Sequence, residues 1–449
     1  MYETTQTSAP TPQPVVSEPL TSLLEVLRLR RSRRFAKGMT MQGPLAYRSA
    51  APAKSLSESE LATLAFAACG ITGHALAELD YAPGGGGTMM GSFLGRTVSS
   101  ADAVHAVGVF VTNDEATYYL KRPQDFSSDE YAEALRLSAN RDWVGLFRKS
   151  RVLLKPGRTA PPLAPPYNLD VNQWDLYAPG TTYFVPVNDY TFMYINGLLE
   201  FLNETMRIFV VDERKGFRPA GLAAFAGKRG HLDDAASAGK TITIERLEQT
   251  LQGVVIVEQG MILQNLGLTA HALGLGGFPN YAGHEFAWFD ALNFRRQTMG
   301  TLDYLGATRA TKLFGSLLGK NTPVHFPVGL EVDGKPLLRA YCPPYFSTME
   351  EAVHAVVERK WGSRGLFGEG AKASAWLDPQ AIARAGARPS AQTIAATVAY
   401  CEYLFRNYGR FPAYAPPYKT NVGFQCGHLD RDFYDKFYRR QVIPDHWQR

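Results

Sequence analysis

The chain has 449 residues, 45% hydrophobic and 20% charged, a globular composition that excludes disordered and fibrous classes. Its most apolar segment, Leu251 to Phe278, is interrupted by Glu258, Gln259, Gln264, Asn265 and His271, which excludes the roughly 18 uninterrupted apolar residues of a membrane helix. The net charge is +5, yet Arg28, Arg30, Arg31, Arg33, Arg34 and Lys37 lie together with no acid among them, so the excess marks a local anion site and not a nucleic-acid-binding face.

In chain order, residues 1–20 read as a disordered Ser/Thr/Pro/Gln tail without a secretory signal. Ser22 to Arg34 has Leu23, Leu24 and Leu27 at helical spacing, with the basic run at its end. Residues 55–69 predict a second helix, because Ser57 and Glu60 form a capping box ahead of Leu61, Leu64, Ala65 and Ala68. A Gly-rich loop, Gly84 to Gly87, precedes a Val-rich strand at Val104 to Thr112. Residues 155–205 carry seven prolines and many aromatics, and are expected to be an insertion serving as a lid, a binding loop or an interface arm, or else as plain packing. Met206 to Asp212 is a further strand. Ile244 to Leu273 is a long helix, apolar nearly all round and therefore buried in a core or between subunits. Pro323 to Val332 reads as a strand, and 349–360 and 390–407 as helices in a C-terminal helical extension, residues 341–449.

Several motifs fail on spacing. Gly315 to Thr322 has three residues between its glycines where a phosphate loop needs four, and Asn321 where it needs Ser or Thr. His284-Glu285 lacks a second histidine four residues after the first, where Trp288 stands. Cys426 and His428 have no nearby partners for a metal, and none is expected. Leu273 to Gly277 (LGLGG) ends a helix and does not join a strand to one, so it reads as a C-cap and turn and not as a dinucleotide fingerprint. The cysteines at 69, 342, 401 and 426 have no C-x-x-C spacing, which fits a reducing, cytoplasmic setting. Arg30-Arg31-Ser32-Arg33-Arg34-Phe35 is either a solvated basic helix end or an anion site, since guanidinium forks match phosphate oxygens.

Three segments together resemble the nitroreductase family of FMN-dependent oxidoreductases: the opening helix running into RRSRRF at 30–35, Gly95 to Phe110 (GRTVSSADAVHAVGVF), and Gln259 to Pro279 (QGMILQNLGLTAHALGLGGFP). The helix ending in ACGIT at 68–72 is similar to the branch that oxidises azoline rings in peptides. The resemblance implies an α+β fold, with helices around a central antiparallel sheet in residues 21–340, and a homodimer with FMN at the subunit interface. It implies that Arg30, Arg31 and Ser32 hold the phosphate and ribityl chain, and that Arg34 faces the flavin N1/O2 edge. It further implies that Ser99, Ser100, Asp102 and His105 line the pyrimidine side, and that Gly276, Gly277 and Phe278 form a turn near N5. Lys335 and Arg339 are the candidates for a remaining basic residue.

The activity implied is ping-pong hydride transfer through flavin N5 from NAD(P)H to a small aromatic or conjugated substrate, with no obligatory protein acid or base. The alternatives are a peptide azoline-type FMN oxidase and a non-catalytic flavin-binding partner subunit. Partners expected are a small molecule and a second copy of the chain, with no nucleic acid and no membrane.

Overall fold

The computed structural model describes residues 22–78, 89–281 and 286–439. The expected 1–20 tail, the Gly84 to Gly87 loop and the His284-Glu285 pair lie outside them.

The strand Val107–Thr112 pairs on one side with Ala116–Leu120 and on the other with Thr182–Asp189, both antiparallel. The sheet runs in the order 275–281, 422–428, 182–189, 107–112, 116–120, 151–156, and every pairing in it is antiparallel. Strands 107–112 and 182–189 are buried along their whole lengths, as strands covered on both faces must be. Side-chain alternation divides the core in two. Val107, Val109, Val111 and Phe184 pack with Leu61, Leu64, Ile262 and Leu266 on one face. Phe110, Val185 and Val187 pack with Leu198, Val353, Ala396 and Leu404 on the other. The expected helices around a central antiparallel sheet are present.

Local signals explain the main helices. Glu58–Cys69 starts at Ser57, whose hydroxyl accepts from the Glu60 backbone N–H at 3.2 Å while the Glu60 carboxylate accepts from the Ser57 N–H at 2.8 Å. The long helix Ile244–Ala272 is capped by Thr243 and ends where Gly274 turns left-handed at φ +74°. It buries one stripe, including Leu247, Leu251, Val255, Ile262 and Leu266, but Ile256, Val257 and Met261 are 47%, 56% and 39% exposed. The expectation of burial all round therefore fails within one chain. Pro323–Val332 forms as expected and continues into Lys335–Arg339 through Asp333-Gly334, both with positive φ, the two-residue turn that suits hairpin twist.

Two expected boundaries are corrected. Residues 155–205 are not an insertion as a whole, because Thr182–Asp189 is a central strand and Thr191–Phe201 a helix buried over nine of its residues. The aromatics there fill the core, which proline counting could not show. Residues 341–449 are likewise no mere helical extension to a domain ending at 340. Val422–His428 sits between two other strands of the central sheet, and Met349–Trp361 and Ala391–Tyr408 pack on its face. One core spans both segments.

Candidate functional site

The opening helix, Leu23–Leu29, stops before the basic run, and the chain then extends so that Arg33 bridges to Gly277 on the sheet's outer strand, Leu275–Tyr281. Gly276, Gly277 and Phe278 therefore lie in a strand and not in the expected turn, which is confined to Leu273-Gly274. The glycines are needed for close approach. A Cβ at Gly276 would sit 2.7 Å from the Arg33 carbonyl oxygen and 2.3 Å from Leu429, and one at Gly277 would sit 2.4 Å from the Phe424 ring. Around this contact lies a shallow depression of about 190 Å³, lined by Arg33, Arg34, Gly276, Gly277, Phe278 and Gln425 among others.

The five arginines of the basic run divide into two sets. Arg28 is paired with Glu25. Arg33 is buried and reaches the His271 Nδ1 at 3.2 Å, and burial pulls its guanidinium down to about 10. Arg34 is gripped by both Asp175 oxygens, at 2.6 and 2.7 Å, and by Asn172 Oδ1 at 2.8 Å, with its guanidinium 4.2 Å from the centre of the Phe278 ring. Burial raises the Asp175 carboxyl despite Arg34. Arg30, Arg31 and Ser32 are exposed, and no carboxylate among the described residues pairs with either arginine.

The segment 170–178, expected as part of the lid, lies against this place. Trp174 stacks on Phe35 at 6.2 Å and is 5.2 Å from the Arg34 guanidinium. Gln425 ties the segment down, donating to the Asp175 carbonyl and accepting from the Tyr177 N–H, each at 2.7 Å.

The serine-rich loop serves a different end. Ser100 donates to Glu258 at 2.7 Å and accepts from the His105 N–H at 2.8 Å. Glu258 also pairs with buried Arg96 and accepts from the Val107 N–H at 2.9 Å. His105 is buried with Nε2 2.8 Å from the Leu94 carbonyl, and burial together with Arg96 pulls its imidazole down to about 3, so it is neutral. Asp102 is half-buried at φ +49°, and burial raises its carboxyl against the pull of Lys360. Of this group only Ser99 is exposed.

Thirteen residues of helix separate Glu258 from His271, about 20 Å, so this loop and the Arg33–Gly277 contact do not line one pocket within the chain. Ser100 and His105 are thus fastened inside the fold and not presented on the pyrimidine-side lining expected of them. Arg339 is also elsewhere. It lines a second cavity with Arg122, Asp189 and Arg359. Asp189 ends the strand whose residue Tyr183 pairs with Gln425, and six strand residues make about 20 Å.

Asp175, Gln425 and Arg96 have no local signature in the sequence. Glu258 and His271 do leave one, as polar interruptions of an apolar helix. Among the described residues no His/Cys/Asp/Glu group could hold a metal, no helix is long and apolar enough to cross a membrane, and all four cysteines are buried and free.

No protein-family model matches the chain, and no curated protein is similar to it. Among solved structures, the chain is similar to one from Ralstonia eutropha JMP134 described provisionally as a nitroreductase. The two are 12% identical, the match covers 63% of this chain and 80% of that one, and the TM-score is 0.30. An overlap of that size does not establish a common fold.

Proposed function

We propose that the chain is a nitroreductase-like FMN-dependent oxidoreductase that takes hydride from NAD(P)H and passes it to a small conjugated or aromatic substrate, working as a homodimer. The observation that carries this reading is the division within the basic run. Arg33 and Arg34 are anchored at the Gly276–Gly277 strand, while Arg30, Arg31 and Ser32 beside them keep donors with no carboxylate partner among the described residues. That set fits a phosphomonoester, because bidentate guanidinium-to-phosphate bonds are strong and a hydroxyl adds a donor. Arg34, its charge met by Asp175, holds a planar guanidinium beside the depression, where a flat ring would lie against it. A bound flavin would supply the hydride-transferring atom, and Arg34 and the backbone of the Gly276–Gly277 strand would orient its ring.

The depression is smaller than the roughly 300 Å³ at which ligand pockets begin, so one chain gives a flavin a floor and one side, and a second copy would supply the rest. The exposed stripe Ile256, Val257 and Met261 fits that role. So do Gly253 and Gly260, where a Cβ would meet nothing within 4 Å. Mid-helix glycines cost about 1 kcal/mol each relative to alanine, a cost that close approach of another helix would offset.

The absorbance spectrum of the purified full chain tests the reading. Flavin bands that bleach on adding NADPH support it; protein that takes up no FMN on titration overturns it. Each charge-assisted bond contributes about 1.5–3 kcal/mol, so Arg30→Ala should weaken FMN roughly ten- to a hundredfold in a fluorescence titration. Comparing bleaching by NADPH with reoxidation by oxygen separates a reductase from an azoline-type oxidase.

A further inference from the structure

Strands Arg295–Gly300 and Pro323–Val332 pair antiparallel, and the chain leaves the pair at Gly300 and returns at Pro323. The excursion between them carries the helix Arg309–Leu317, none of whose residues is buried. Its own ends fix it. The Thr308 hydroxyl accepts from the Thr311 N–H at 3.2 Å. At the other end Gly319, with φ +67°, donates to the Ser316 carbonyl at 3.1 Å and lets the Lys320 N–H reach the Gly315 carbonyl at 2.7 Å. A capped helix therefore stands at the tip of a strand pair.

The amphipathic order of this helix is reversed. Toward the body it turns Lys312, whose Nζ lies 2.6 Å from Asp303, and Gly315, where a Cβ would sit 2.5 Å from the Leu302 side chain. Leu313, Phe314, Leu317 and Leu318 recur at three- and four-residue spacing on the other side, where they are 63%, 66%, 75% and 72% exposed. A surface helix ordinarily turns such a face to the core, and an apolar patch turned outward marks an interaction surface. The charges beside it have one sign. No Asp or Glu occurs from Tyr304 to Leu330, and no carboxylate among the described residues pairs with Arg309 or Lys320, which stand at the two ends of the apolar face.

Charge selects the occupant. A second copy docked on this face about a two-fold axis would set the cations of one helix against those of the other, with no acid between them. An anionic lipid surface meets both features: the acyl boundary takes the apolar side chains, the headgroups take the cations, and a fluid layer needs no pocket on a convex helix. We infer that helix Arg309–Leu317 seats the protein on an anionic lipid surface, with Leu313, Phe314, Leu317 and Leu318 at the acyl boundary and Arg309 and Lys320 among the headgroups. The expectation of no membrane partner rests on the lack of a spanning segment, which does not bear on a helix lying in the surface plane. No flavin enters the inference, so it and the oxidoreductase reading stand or fall separately.

The test is co-sedimentation of the purified full chain with vesicles of phosphatidylcholine mixed with phosphatidylserine, and of phosphatidylcholine alone. Half of the chain should pellet with the mixed vesicles at about 1 mM lipid or below, and much less with the neutral ones. Arg309→Gln with Lys320→Gln should weaken binding to the mixed vesicles roughly thirtyfold, and Phe314→Gln with Leu317→Gln roughly a hundredfold or more. All four positions are exposed, so thermal midpoint and FMN content should stay in place, which separates lost binding from lost folding. The inference is overturned if the mixed vesicles pellet no chain, if neutral vesicles pellet it equally well, or if the Phe314 and Leu317 variant pellets unchanged. A parent dimer that this variant turns into a monomer in light scattering would assign the face to a second copy and also overturn it.

Discussion

Glu60 shows how one residue can act at two levels. Its carboxylate closes the capping box with Ser57 and reaches across to His428 at 3.3 Å, joining a helix start to the end of a central strand. Burial opposes its ionisation, but the bonds from His428 and Ser57 outweigh it and hold the carboxyl down to about 2. A folded-state pKa below the unfolded value of about 4.3 means that the contribution is complete above that value and disappears as pH falls toward 2. Glutamine preserves the capping geometry but not the charge. Glu60→Gln should therefore melt below the parent at pH 7, with the gap closing between about pH 5 and pH 2. A gap independent of pH would show that the charge on Glu60 contributes nothing. Charged side chains of this kind are visible in the sequence, but the partner is not: Glu60 and His428 lie at opposite ends of the chain.

At the scale of elements, the contact between the extended Arg30–Arg34 segment and strand Leu275–Tyr281 sets the geometry of the proposed flavin site. Its backbone approach leaves no room for a Cβ at Gly276, which would meet the Leu429 side chain at 2.3 Å and, at 2.7 Å, the Arg33 carbonyl oxygen, which as backbone cannot turn aside. Gly276→Ala should destabilise the chain by about 1–3 kcal/mol, the usual range for overpacking. It should also displace Arg33 and Arg34 together, so FMN uptake falls even where the protein still folds. Denaturant melts and a flavin titration on the same preparation check this; full uptake with unchanged stability would mean that the contact gives way without consequence. By their place after a long helix the glycines read as a C-cap and turn, and only the family resemblance marks them as a site; their strand conformation is not legible. A turn and an edge strand use the same residues, and the pairing with 422–428 across about 150 residues decides between them.

For the molecule as a whole, the long helix separates two environments. One stripe enters the core beneath the central sheet, and the other presents Ile256, Val257, Met261 and two glycines to solvent, near an opening helix with Leu23 and Leu24 exposed. A second copy covering this stripe would bury the glutamate of Val257→Glu in both subunits. Light scattering at micromolar concentration should then shift from dimer to monomer, with the dimer constant weakened roughly a hundredfold or more. The position is exposed in the single chain, so its melting as a monomer should be little changed. A parent chain that is itself monomeric with FMN retained would remove the basis of the prediction.

The sequence by itself determined what depends on short range. The capping box at Ser57 and Glu60, the period of 244–272, the hairpin strand at 323–332 and the helices near 349–360 and 391–408 all follow from residues within one or two turns of each other. So does the concentration of positive charge at 28–37. Tertiary structure alone decided how those charges are used, because ion pairing depends on distance in space: Asp175 neutralises Arg34, His271 holds Arg33, and Arg30 and Arg31 are left. It also decided the role of residues 155–205. Their prolines and aromatics leave a lid, a binding loop, an interface arm and plain packing all open, whereas burial on both faces of a central strand is a property of the sheet's order, which no local pattern encodes. The same reason places Val422–His428 inside the sheet, between 275–281 and 182–189, and Arg339 in a separate cavity.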